Sequence, residues 1–117
     1  MLVHCSLFKF KPETTADQAA QIVAQFEALG QKLPYIKKMT VGLNVSDIKI
    51  IREIAASSGV HHVQDPYHLA AVIHFETLED YYRYGADETH SDFVRRYLIP
   101  NQESRASVQF IATQSVE

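Results

Sequence analysis

The sequence predicts an α+β domain in the order β-α-β, then β-α-β. Three observations carry this reading. Strand-like runs occupy 2–10, 39–45, 67–75 and 105–112. One long amphipathic helical pattern separates the first two runs, and shorter capped helical patterns separate the last two. This order is the ferredoxin-like split arrangement, an antiparallel sheet with helices on one face.

Each element has its own local cause. Residues 2–10, LVHCSLFKF, are rich in β-formers and stop at Lys11-Pro12, where the missing amide ends a ladder. Alternation places His4, Ser6, Phe8 and Phe10 on one face, and Val3, Cys5, Leu7 and Lys9 on the other. Thr15 and Gln18 have capping-box spacing. Ala19, Ile22, Val23, Phe26 and Leu29 then recur at helical spacing. Gly30 is one stop signal, and an extension of the helix to Leu33 before Pro34 is the alternative. Residues 39–45, MTVGLNV, form the second strand. Ile48, Ile50, Ile51 and Ile54 fit a short helix or a strand equally, and Ser57-Ser58-Gly59 and Asp65-Pro66 mark turns.

The third strand, 67–75, is apolar without a break from Leu69 to Ile73, as burial on both faces requires. Thr77 caps a short helix carrying Leu78, Tyr81 and Tyr82. Thr89 is placed to cap another, which turns Phe93, Val94, Tyr97 and Leu98 inward and ends at Pro100.

The 117 residues fit one domain, 1–117, able to bury roughly two-thirds of its unfolded surface. Net charge is -3 with both signs interspersed, and Lys37-Lys38 and Arg95-Arg96 are too short for a nucleic-acid stripe. Cys5 alone cannot form an internal disulfide. Neither a secretory leader nor a membrane span is visible, so a cytoplasmic protein without membrane or nucleic-acid partners is expected.

Helices on one face leave Cys5, Leu7, Ala70 and Val72 on the other. Nothing outside segment 46–66 remains to cover them. An exposed apolar sheet face of this kind predicts a homodimer packed through its sheets.

The opening His4-Cys-Ser-Leu-Phe-Lys-Phe-Lys, then Val41-Gly-Leu-Asn44, Ile73-His-Phe-Glu76 and His90-Ser-Asp-Phe93 through Pro100 occur in that order. With Glu103-Ser-Arg and the final strand, they resemble the stress-responsive A/B barrel (Dabb) family over nearly the whole chain. Segment 46–66 is longer than usual for that family. The resemblance implies a dimeric α/β barrel and a pocket between sheet and helices that takes a small, partly apolar molecule, without cofactor or metal. Some members are known only as stress-induced proteins. One plant member is a polyketide cyclase that closes its substrate by an aldol reaction.

Against that cyclase, His90 matches the catalytic base and Tyr84 the tyrosine that bonds the substrate carbonyl. His4 matches a pocket histidine. Ser6, Phe8, Ile22, Phe26, Ala71 and Ile73 match ligand-binding wall positions. A neutral imidazole can take a proton from an activated carbon, and a phenol can stabilise the resulting enolate. Leu69 departs from a second pocket histidine. Asp87 and Glu88 replace a His-Pro pair, and nearby carboxylates would favour imidazolium. A structural reading stands beside this one. His90 near a helix start can simply bond a backbone carbonyl, and Tyr84 can be packing.

His61, His62, Asp65 and His68 are metal-ligand types, but adjacent strand positions diverge, so no metal site is expected. His74 is expected at the sheet–sheet interface. Cys5 projects away from His4 and reads as a small buried apolar residue. Four functions follow: a binding or stress-response module, a cofactor-independent cyclase or lyase, a purely structural dimer, and a monooxygenase-type relative.

Overall fold

The computed structural model describes residues 1–45 and 67–113. The helix-or-strand reading of 46–66 lies outside the described residues. Strand β1 spans Leu2–Phe10, helix α1 Ala16–Lys32 and strand β2 Lys38–Leu43. Strand β3 spans Leu69–Phe75, helix α2 Leu78–Ala86 and helix α3 Glu88–Phe93. A π-helical turn, Val94–Leu98, continues α3, and strand β4 covers Gln102–Ile111.

The four strands form one antiparallel sheet in the order β2-β3-β1-β4. This is the predicted ferredoxin-like fold. The barrel is a correction: among the described residues the sheet is open, with β2 and β4 as its edges. Four strands spaced about 4.8 Å apart leave those edges on the order of 14 Å from one another. Barrel closure ordinarily takes about eight strands.

Alternation along β1 and β3 assigns the faces as expected. His4, Ser6, Phe8 and Phe10 with Leu69, Ala71, Ile73 and Phe75 are buried under the helices. Ile22, Phe26 and Leu29 from α1, Tyr84 from α2, and Phe93 and Leu98 complete the core. The capping box forms: Gln18 N donates to Thr15 Oγ1 at 3.1 Å, and Thr15 N donates to Gln18 Oε1 at 2.9 Å. Helix α1 runs through Gly30 rather than stopping there. A Cβ at Gly30 would stand 3.2 Å from Met39 Sδ, so the glycine serves the close approach of α1 to β2.

The other sheet face carries Cys5, Leu7, Ala70, Val72 and His74, all half-buried. Pairing in register adds Val108 beside Cys5 and Phe110 beside Val3. Val108 is 55% and Phe110 47% exposed, whereas Val3, flanked by His74 and Phe110, is buried. No described helix is long and apolar enough to cross a membrane.

Candidate functional site

Strand β1 presents His4 and Ser6 beneath α2, and β4 runs alongside with Gln109 opposite His4 and Ser107 opposite Ser6. His4 is buried with both ring nitrogens engaged. Gln109 Nε2 lies 2.8 Å from Nδ1, and Ser6 Oγ lies 2.9 Å from Nε2. With the Gln109 amide nitrogen donating to Nδ1, Nε2 carries the proton and donates to Ser6. Burial drives the His4 pKa from 6.5 down to about 4, with Arg105 and His90 adding to the effect. His4 is therefore a neutral, fully bonded ring at physiological pH. Its ring lies 5.0 Å from that of Tyr81.

Helix α2 starts at Thr77, whose hydroxyl accepts from Asp80 N at 3.1 Å. It carries Tyr81 and Tyr84 against Phe75, at ring separations of 5.5 and 5.2 Å. The chain then breaks at Asp87, the N-cap of α3. Its Oδ1 accepts from Thr89 N at 2.8 Å, and its Oδ2 accepts from Tyr35 Oη at 3.3 Å. Asp87, not Thr89, is the cap. This sharp junction brings His90 back onto Tyr84, ring to ring at 4.2 Å.

The electrostatics of the pair follow from burial. Desolvation pushes the Tyr84 phenol well above its usual range. Desolvation also lowers His90, outweighing its contact with the Gly85 backbone and the Asp87 charge, both of which favour imidazolium; Arg105 lowers it further. The expectation that the carboxylates would charge this histidine is thus reversed, because Asp87 is a minor influence beside burial. Tyr84 stays protonated and His90 neutral. Among the described residues, the Nδ1 atom of His90 is buried without a hydrogen-bond partner. Such orphaned groups are uncommon and call for an explanation.

The sequence-expected wall residues are brought together, but as packed core. Ser6, Phe8, Ile22, Phe26, Ala71 and Ile73 are each no more than 3% exposed. The Phe8 and Phe26 rings lie 5.7 Å apart, and those of Phe26 and Phe93 4.6 Å apart. Several cavities lined by described residues lie elsewhere, one of them, of about 470 Å³, at the end of β1 beside Lys9 and His68. His68 does not act with a metal cluster there: its Nδ1 accepts from Phe10 N at 2.9 Å. His61, His62 and Asp65 lie outside the described residues. Among the described residues, no group of three or more His, Cys, Asp or Glu is placed for a metal ion.

Two residues escaped the sequence reading, Gln109 and Arg105. Both follow from the pairing register of β1 with β4, which alternation within either strand does not supply.

A family model described as Stress responsive A/B Barrel Domain matches residues 2–112. The chain belongs to this family. Among curated proteins, none matches this A/B barrel domain. Solved structures share its fold. A dimeric ferredoxin-like protein of unknown function from Thermobifida fusca is 19% identical, covering 95% of this chain and 90% of that one, with a TM-score of 0.74. A dimeric protein of unknown function from Bacteroides fragilis is 24% identical over 93% of both chains, with a TM-score of 0.66. The hydroxynitrile lyase from Passiflora edulis is 16% identical, covering 99% of this chain and 96% of that one, with a TM-score of 0.74. At these identities the likeness establishes the A/B barrel domain's fold, not its chemistry.

Proposed function

We propose that this protein is a homodimeric small-molecule-binding protein whose ligand, small and partly apolar, meets the cluster of His4, Tyr84 and His90. The observation that carries this is the buried, unpartnered Nδ1 of His90 beside a protonated Tyr84. A ligand offering a donor to Nδ1 would satisfy that atom, and its carbonyl would accept from the Tyr84 phenol. His4, held by Gln109 and Ser6, acts as a fixed wall rather than as a proton carrier. Phe8, Phe26, Ile22, Ala71 and Ile73 form the buried apolar core beside the cluster, and Ser6 is buried against His4.

The dimer half of the reading rests on the uncovered sheet face, where Val108 and Phe110 stand exposed beside half-buried Cys5, Leu7 and Val72. A second copy is the occupant that suits it. The Thermobifida fusca and Bacteroides fragilis proteins of this fold are dimeric.

Nitrogen-15 spectra of the histidine rings test the ligand site, with 4-oxo-4-phenylbutanamide as probe. The reading expects the His90 Nδ1 resonance to move on titration while the His4 resonances stay put. No movement at His90 refutes it.

A second reading is a cofactor-independent acid–base enzyme of the cyclase or lyase kind. The same Nδ1 favours it: in the tautomer protonated at Nε2 it is a base, and its ring lies 4.2 Å from that of the Tyr84 phenol. His90 would take a proton from a carbon beside a carbonyl while Tyr84 bonds the enolate oxygen. Deuterium exchange at the methylene of phenylacetone, followed by proton NMR, decides it. Protein-accelerated exchange that is lost in His90→Ala supports the enzyme, and exchange at the buffer rate rules it out.

A further inference from the structure

Helices α1 to α3 do not cover the whole sheet. On β4, the positions that share a face with His4, Ser6 and Phe8 are Gln109, Ser107 and Arg105, and all three are exposed. They form an open shelf beside the cluster of His4, Tyr84 and His90. Gln109 fixes the shelf against the cluster by its bond to His4.

Arg105 is the one cation on that shelf. Pairing in register with Phe8 turns it to the helix side. The neighbouring carboxylate, Glu103, lies two positions earlier in β4 and is engaged by Lys9 at 3.4 Å. Arg83, Arg95 and Arg96 each have an aspartate within 3.5 Å. Among the described residues, Arg105 has no such ion pair. It is close enough for its charge to be felt at His4, Tyr84 and His90 alike.

We infer that Arg105 is a ligand-binding residue that selects a carboxylate, so the substrate class of this site is partly apolar oxo acids rather than neutral carbonyl compounds. The inference rests on the ligand site proposed above and adds its charge. The acyl or aryl body of the ligand lies toward Phe8, its carbonyl faces Tyr84 and His90, and its carboxylate lies over the β4 shelf. A guanidinium matches a carboxylate with two parallel hydrogen bonds, which a lysine or an amide cannot reproduce.

The test compares 4-oxo-4-phenylbutanoate with 4-oxo-4-phenylbutanamide, which differ in charge and hardly in shape. Affinities are read from the His90 ring resonances and by calorimetry, on wild type, Arg105→Met, Arg105→Lys and the control Arg95→Gln. The acid is expected to bind about tenfold more tightly than the amide. Arg105→Met should abolish that preference by weakening the acid far more than the amide, Arg105→Lys should keep part of it, and Arg95→Gln should keep all of it. Equal affinities in wild type, with His90 responding to both, would overturn the carboxylate assignment and leave the site standing. A preference that survives in Arg105→Met would overturn it too. No response of His90 to either probe would overturn the site and this inference together.

Discussion

The rings of Tyr84 and His90 lie 4.2 Å apart, tilted by 47°, across the break between α2 and α3. Neither residue reaches the other through periodicity, since they sit on different helices. Asp87 makes the encounter by ending one helix and capping the next.

That role predicts a cost for Asp87→Ala. It removes the cap of α3 and leaves the Tyr35 hydroxyl without its acceptor. The expected destabilisation is about 1–2 kcal/mol by urea denaturation. Asp87→Asn keeps an oxygen for the cap and should lose less. Equal losses in the two variants would show that the carboxylate charge, not the cap, is what matters.

A pH dependence follows from His4. Its folded pKa of about 4 lies below the 6.5 of the unfolded ring. The unfolded state therefore binds the proton more readily, and acid destabilises the fold. The contribution is fully present above about pH 6.5. It is lost as pH falls toward 4, by roughly 3 kcal/mol in all. His90, also lowered, acts in the same direction. Thermal melts from pH 7 to pH 4 should show a falling melting temperature. The fall should be shallower in His4→Gln, relative to that variant's own value at pH 7. An identical slope would remove His4 from the account.

The open sheet face predicts an assembly change. Val108→Glu places a charge in the exposed apolar stripe of β4, beside Cys5. Burying it against a second sheet would desolvate an unpaired carboxylate, at a cost of several kcal/mol. Sedimentation should find two chains in wild type and one in the variant. The helical signal should be retained, because Val108 lies outside the core under the helices.

Much of the fold was legible because its causes are local. The run 2–10 forms β1 end to end, through its alternation and the Lys11-Pro12 stop. Thr15 and Thr77 cap the helices they were expected to cap. At Gly30 both a stop and an extension to Leu33 were open, because a glycine that ends a helix and one that lets a strand approach are the same letter, and the extension holds. At Asp87 and Thr89 two capping residues compete, and the Tyr35 bond from outside the segment supports Asp87. The barrel expectation failed for a less local reason. Closure depends on which strands are edges, and strand pairing is a property of the whole sheet. The candidate site divides the same way. His90, Tyr84 and His4 were found through resemblance. Gln109 and Arg105 needed the register between strands about a hundred residues apart in sequence.

The most direct test of the proposed function is native mass spectrometry of the protein purified from its own source, followed by denaturation of the selected peaks to release what they hold. The account predicts an assembly of two chains carrying one defined small molecule per chain, an oxo acid in chemical class. A single-chain species, or a two-chain species carrying nothing, would contradict it.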